Sequence, residues 1–297
     1  MRRRRRNVLV VVAVVALGAG VAVGAGHNSG GGGGDKTASS GAKAGKSGGG
    51  GGPKLKAGGL GPPPPQTKLV SFQGPVPVLM YHVIASAPSS AQLPELYVDP
   101  KTFDKQMDWL KGQGYQGVSL NQVYDAWFKG AQLPEKPVVV SFDDGYRSQY
   151  VYARPELRKL GWPGVLSTIS GRIGQPGAEL SDAMVRNLID NGWELDSHTI
   201  NHVDVSQASG AQLQDEVAGS RKMLQQRFHQ PVNFFCYPSG RYDDQAIQAV
   251  RQAGYLGATT TDEGLAFKNE MFTLKRVRVD GSDGVGGLEQ KLGQAGA

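Results

Sequence analysis

The chain has one cysteine in 297 residues, Cys236, so no disulfide can form within it. Cys236 lies in the apolar run Phe234-Phe235-Cys236-Tyr237, where a buried structural thiol is the expected state. No cysteine lies near the end of the N-terminal apolar segment either, which excludes an acylated lipoprotein. Excess positive charge is also missing from the part of the chain able to fold. Residues 1–74 carry five Arg and six Lys against Asp35 alone, ten positive charges net, so the formal charge of +6 leaves the remainder at −4. A basic nucleic-acid footprint on that remainder is excluded. Periodic apolar residues are absent from residues 27–74 as well, so this stretch has nothing with which to form a core.

The N-terminus does hold a basic run, Arg2 to Arg6, then the apolar stretch Val8 to Leu17 and small residues to Ala25. That order is the layout of a secretory signal over residues 1–26, and the apolar span is also near the lower limit for an uncleaved membrane anchor. Both readings export the rest, to an extracellular, wall-associated or outward-facing anchored position. Residues 27–74 are Gly, Ser, Lys and Pro, including Gly30 to Gly34 and Pro62 to Pro65. They read as a disordered tether ending in a stiffer polyproline spacer. Residues 75–297 read as one folded domain.

Within that domain, strand-like and helix-like stretches alternate. Val76 to Met80 reads as a strand, and Asp99 with Pro100 opens a helix carrying Phe103, Met107 and Leu110. Strands are expected at Val138 to Phe142, Val165 to Ile169, Trp193 to Asp196, Val232 to Tyr237, Leu256 to Thr260 and Val277 to Val279, with helices between most of them. Repeated β-then-α order implies an α/β fold with a parallel sheet, most simply closed as a (β/α) barrel. Tyr81-His82, Asp143-Asp144, His198 and Tyr237-Pro238 all fall at C-terminal strand ends, where such barrels place their chemistry.

Two adjacent carboxylates, Asp143 and Asp144, follow a buried-type strand and precede Gly145. Ionised side by side they repel, unless a cation or a proton separates their roles, so a metal ligand beside a general base is the economical reading. His198 and His202 add two further ligands, and one Asp with two His leaves a coordination position open, as catalytic metal sites do. Singly, each of these features more often marks a polar turn or an exposed histidine pair; together at strand ends they point to one mouth.

Ser141-Phe142-Asp143-Asp144-Gly145 and Ser197-His198-Thr199-Ile200-Asn201-His202 resemble the first two signature motifs of the NodB-homology polysaccharide deacetylases, the fourth carbohydrate esterase family. The likeness extends through Phe235 to Gly240, Ala253-Gly254-Tyr255 and Arg276-Val277, and upstream through Val76 to His82, which resembles the branch that deacetylates poly-N-acetylglucosamine. It covers about Val76 to Asp280. The resemblance implies a distorted parallel barrel and a hydrolase removing N-acetyl groups from N-acetylglucosamine polysaccharide, with peptidoglycan and chitin as other substrates of the same kind. Asp144, His198 and His202 would bind the metal, usually Zn²⁺, with Co²⁺ or Ni²⁺ as substitutes. Asp143 would be the general base and His82 the acid, while Tyr237, Pro238 and the backbone N–H of Ser239 would hold the oxyanion. Many members carry an Arg four residues before the motif's Pro, and here that position is Phe234; Arg276 is a candidate replacement, though a surface strand residue is an equal reading. The rival classes are a tethered, weakly catalytic glycan-binding protein and an O-acetyl xylan esterase. A monomer is expected.

Overall fold

The computed structural model describes residues 68–177 and 179–297. The expected export segment 1–26 and linker residues 27–67 lie outside the described residues.

Among the described residues, twelve strands and eight α-helices follow one another. A short strand β1 (Leu69–Ser71) precedes β2 (Val78–Tyr81), and β3 (Val83–Ile84) and β4 (Tyr97–Val98) make a small parallel pair. Then come α1 (Pro100–Gly112), β5 (Gln116–Gly117), α2 (Leu120–Lys129), β6 (Gln132–Pro134), β7 (Pro137–Asp144) and α3 (Arg154–Leu160). The second half runs β8 (Val165–Thr168), α4 (Asp182–Asp190), β9 (Glu194–Ser197), α5 (Gly210–Gln214), α6 (Ser220–Phe228) and β10 (Phe234–Cys236). It ends with α7 (Asp244–Gln252), β11 (Gly257–Glu263), β12 (Leu274–Arg278) and α8 (Gly284–Ala295).

Helix ends follow local chemistry. The Asp99 carboxylate accepts the Lys101 N–H ahead of α1, whose first position is Pro100. Ser119 and Gln122 form a reciprocal capping box on α2, and Gly130 closes that helix at φ 74°.

The main sheet closes on itself in the order β2-β12-β11-β10-β9-β8-β7 and back to β2, with every pairing parallel. Strand β5 lies on the early residues of β7, Gln116 opposite Pro137, below the point where β2 takes over at Val78 opposite Val139. The expected parallel barrel is therefore present, with seven strands. Alternate side chains along each strand serve two packing layers. Val138, Val140, Phe142, Leu166, Leu195 and Phe235 pack among the helices, whereas Val78, Val139, Val165, Phe234 and Leu274 cluster with Leu120, Val123 and Trp127 of α2. Helix α2 thus plugs one end of the barrel with apolar side chains. Farther along the same strand faces stand Ser141, Asp143, Asp196, His198, Cys236 and Arg276, all buried.

One boundary needs correction. Leu69–Ser71 pairs antiparallel with β6, the Gln73 amide donates to the Ala126 carbonyl at 2.8 Å, and Trp127 Nε1 donates to the Gly74 carbonyl at 3.0 Å. Residues 69–74, assigned by composition to the linker, are stitched to α2 and β6, so the ordered part begins before residue 75.

Candidate active site

Register brings the strand ends level. Tyr81 lies opposite Phe142, Asp143 opposite Ser167, Asp144 opposite Thr168, Thr168 opposite Ser197, and Ser197 opposite Phe235. His82, Asp143, Asp144 and His198 therefore emerge at one height. The chain turns sharply as soon as β7 ends: Asp144 takes φ 74° and Gly145 φ 88°. A Cβ on Gly145 would stand 2.3 Å from Thr168 Oγ1, so only glycine fits beneath the two carboxylates.

Asp144 Oδ1 lies 3.5 Å from His198 Nε2 and 3.5 Å from His202 Nε2. Ligands bound tetrahedrally at about 2.0–2.1 Å stand about 3.3 Å apart, so these three atoms are spaced to share one cation. His198 Nδ1 is 2.7 Å from the Cys236 carbonyl oxygen, a contact that requires Nδ1 to carry the proton and leaves the Nε2 lone pair free to ligate a cation shared with Asp144. The residues fit a metal ion of the zinc type, one Asp and two His. Burial lowers the His198 imidazole, but neighbouring Cys236 and the Asp143 and Asp144 carboxylates outweigh it and raise it, whereas burial and His198 push His202 down to about 4. Protonation is favoured at His198 and disfavoured at His202, whereas a divalent cation held between them would leave both imidazoles neutral.

A second donor set, Asp143, His198 and Cys236, is equally compact. It is unsuited to a cation, because Arg276 occupies it. Nη1 donates to Asp143 Oδ1 at 2.8 Å and Nη2 to Oδ2 at 2.7 Å, while Nη2 also reaches Cys236 Sγ at 3.4 Å. Arg276 is fully buried and further donates to the Thr260 carbonyl and the Ser141 hydroxyl. The reading of Arg276 as a surface strand residue is thereby excluded. Burial alone would raise the Asp143 carboxyl, and the guanidinium overrides it, holding the group well below the usual carboxylate range. Asp143 is an anion at neutral pH. Cys236 is buried as expected, yet its thiol is not a bystander: Sγ is 3.5 Å from Asp143 Oδ2.

His82 stands on the neighbouring strand end, Nε2 3.8 Å from Asp143 Oδ2, and Gln149 Nε2 ties its carbonyl to that of Asp143 at 2.8 and 2.7 Å. Burial lowers the imidazole and the two carboxylates push back, so the net shift is downward. Tyr237 and Pro238 follow β10, and Ser239 takes φ 53° in the short turn Pro238–Gly240. Four of the five non-glycine residues with positive φ among the described residues, Asp144, Thr199, His202 and Ser239, belong to these motifs. Each such conformation costs of order 1–3 kcal/mol, and this clustering is the usual mark of a functional site.

Two contributors went unnoticed in the sequence. Gln149 and Glu216 both hold site backbone, and neither lies in a motif or at a strand end, so nothing local singled them out.

The comparisons bear on the same residues. A family model described as polysaccharide deacetylase matches residues 130–258, which contain Asp143, Asp144, His198, His202 and Ser239. YxkH of Bacillus subtilis, a relative bearing the same family description, is 34% identical over 205 residues, 69% of this chain and 71% of that protein. The chain belongs to the polysaccharide deacetylase family. The poly-β-1,6-N-acetyl-D-glucosamine N-deacetylase of Escherichia coli is 26% identical over 217 residues, 59% of this chain but only 32% of that protein. Among solved structures, the Streptococcus pyogenes deacetylase PplD in complex with acetate matches with a TM-score of 0.68 and 30% identity, covering 74% of this chain and 99% of that one. A polysaccharide deacetylase is a hydrolase, and in this member the family's Asp and His residues converge on a set that could hold a metal.

Proposed function

We propose that the chain is a metal-dependent N-deacetylase that removes acetyl groups from N-acetylglucosamine-containing polysaccharide, exported and acting outside the cell. The observation that supports this most is the pairing of roles in one pocket: Asp144 faces two imidazoles, while Asp143 beside it is locked to Arg276 and kept ionised. Two adjacent carboxylates are thereby given different tasks.

A divalent cation held by Asp144, His198 and His202 would supply a Lewis acid and lower the pKa of water in its shell from near 16 to about 7. Every other element of the reaction lies in the chain's own groups. Asp143 accepts the proton of the attacking water at whichever oxygen faces it, and Arg276 keeps that carboxylate oriented and anionic until then. The backbone N–H of Ser239 would stabilise the oxyanion of the tetrahedral adduct; one such donor is typically worth about 10²–10³ in rate. His82 delivers a proton to the departing amine, which is a poor leaving group unless protonated. The substrate class is supported by the E. coli relative, a poly-β-1,6-N-acetyl-D-glucosamine N-deacetylase by name. Mass spectrometry of N-acetylglucosamine oligomers and peptidoglycan fragments after incubation with the protein tests the reading, since each lost acetyl group has a defined mass. Unchanged masses on every N-acetylated glycan, with binding retained, would favour a glycan-binding protein instead.

A further inference from the structure

Glu216 is a carboxylate that neither the ligand set nor the acid and base use, and it is only 5% exposed. It stands in the π-helical turn Asp215–Gly219 that interrupts the helix between α5 and α6. Such interruptions recur at functional sites. Its Oε2 accepts the backbone N–H groups of Ile200 at 2.8 Å and Asn201 at 3.0 Å, and Oε1 accepts Asn201 Nδ2 at 2.7 Å. The opposite side of the same turn is held too. The Thr199 and Ile200 carbonyls accept the N–H groups of Ser170 and Gly171, each at 3.0 Å, and Thr199 Oγ1 accepts the His202 N–H at 2.8 Å. A Cβ on Gly171 would come within 2.6 Å of the Ile200 carbonyl oxygen, which shows how closely the turn is seated.

This turn connects His198 to His202, and two of its residues sit in the left-handed region, Thr199 at φ 66° and His202 at φ 60°. Non-glycine residues there carry strain of about 1–3 kcal/mol each and stay only where the surroundings over-determine them. Ser170 and Gly171 engage its carbonyls; only Glu216 engages the amides of Ile200 and Asn201 among the bonds found at the described residues.

We propose that Glu216 is a positioning residue for the metal site, fixing the left-handed turn that brings His202 Nε2 to Asp144 beside His198. This deepens the metal-dependent reading above and rests on it. Glu216 does not touch the metal position itself. Its effect is on the geometry of the ligand set, in the way that groups behind metal ligands commonly set affinity.

The test is a titration of the metal-depleted full chain with Co²⁺, followed by visible absorption, in the unmodified protein and in Glu216→Ala, Glu216→Gln and Asp215→Ala. Glu216→Ala should weaken Co²⁺ binding by about 10–100-fold and alter the ligand-field bands. Glu216→Gln keeps the size of the side chain and one acceptor oxygen, so it should lose less, and it carries the test if the alanine variant fails to fold. Asp215→Ala removes an exposed charge one residue away and should bind Co²⁺ as the unmodified protein does. Wild-type affinity in both Glu216 variants would overturn the proposal, as would an equal loss in Asp215→Ala, which would assign the effect to charge. Absence of Co²⁺ binding by the unmodified protein would instead overturn the metal-dependent reading, and this proposal with it.

Discussion

Arg276 grips Asp143 with both ends of its guanidinium, at 2.8 and 2.7 Å, across the barrel interior. The two residues are 133 positions apart, and both are buried. A bidentate pair of this kind sets the orientation of the carboxylate as well as its charge. Phe234, four residues before Pro238, packs in the barrel interior, and the guanidinium arrives from β12.

Arg276→Met should therefore leave a buried, uncompensated carboxylate. Breaking a buried pair by removing one partner costs about 3–5 kcal/mol. Adding Asp143→Asn to that variant removes the stranded charge and should recover most of the loss, giving strongly non-additive unfolding free energies in urea. Additive losses would mean that the pair does not act as a unit.

Asp143→Asn alone should bind Zn²⁺ with near wild-type affinity, because the proposed ligands Asp144, His198 and His202 are untouched. Its kcat on N-acetylated oligomers should fall by about 10²–10⁴, the usual value of a positioned base. Metal content by mass spectrometry and turnover, measured on one sample, check both halves.

Chelation should abolish deacetylation, and added Zn²⁺ or Co²⁺ should restore it. His198→Ala and His202→Ala should each lose bound metal. Full activity in metal-free protein would overturn the mechanism.

His82→Ala should keep fold and metal yet lose kcat on N-acetylated oligosaccharides by about 10²–10⁴. Activated aryl esters, whose leaving groups need no proton, should be affected much less. Equal losses on both substrates would show a structural histidine.

A chain beginning at Lys68 should fold as stably as the full chain, whereas one beginning at Pro75 loses β1, the Gln73–Ala126 bond and the Trp127–Gly74 bond. Each lost hydrogen bond is typically worth about 0.5–1.5 kcal/mol, so the shorter chain should unfold at lower urea concentration. Coincident unfolding curves would return residues 69–74 to the linker.

Much of this protein is legible locally. Apolar strands at near-regular spacing, most of them followed by a helical stretch, already imply a parallel α/β barrel, and the strand ends already mark His82, Asp143, Asp144 and His198, because alternation and helix signals depend on neighbouring residues. Elements without such a local signal escape. Helix α8 contains Gly284, Gly286, Gly287 and Gly293, poor helix formers, and it is held by burying Leu288 and Leu292 in the outer packing layer. The strand β1 is three residues long and finds its partner β6 sixty-odd positions later.

Residue types and their order determined which groups could do chemistry at the mouth of this barrel; closure of the barrel decided how those groups divide the work. Arg276 reads equally as a partner of the base or a surface strand residue, and Cys236 as a core thiol, until β12 and β10 bring them against Asp143. Glu216 reads as one more helix carboxylate until the π turn aims it at the Ile200 and Asn201 amides. The physical reason is that hydrogen bonds and ion pairs act over about 3 Å of space, and separation along the chain does not enter.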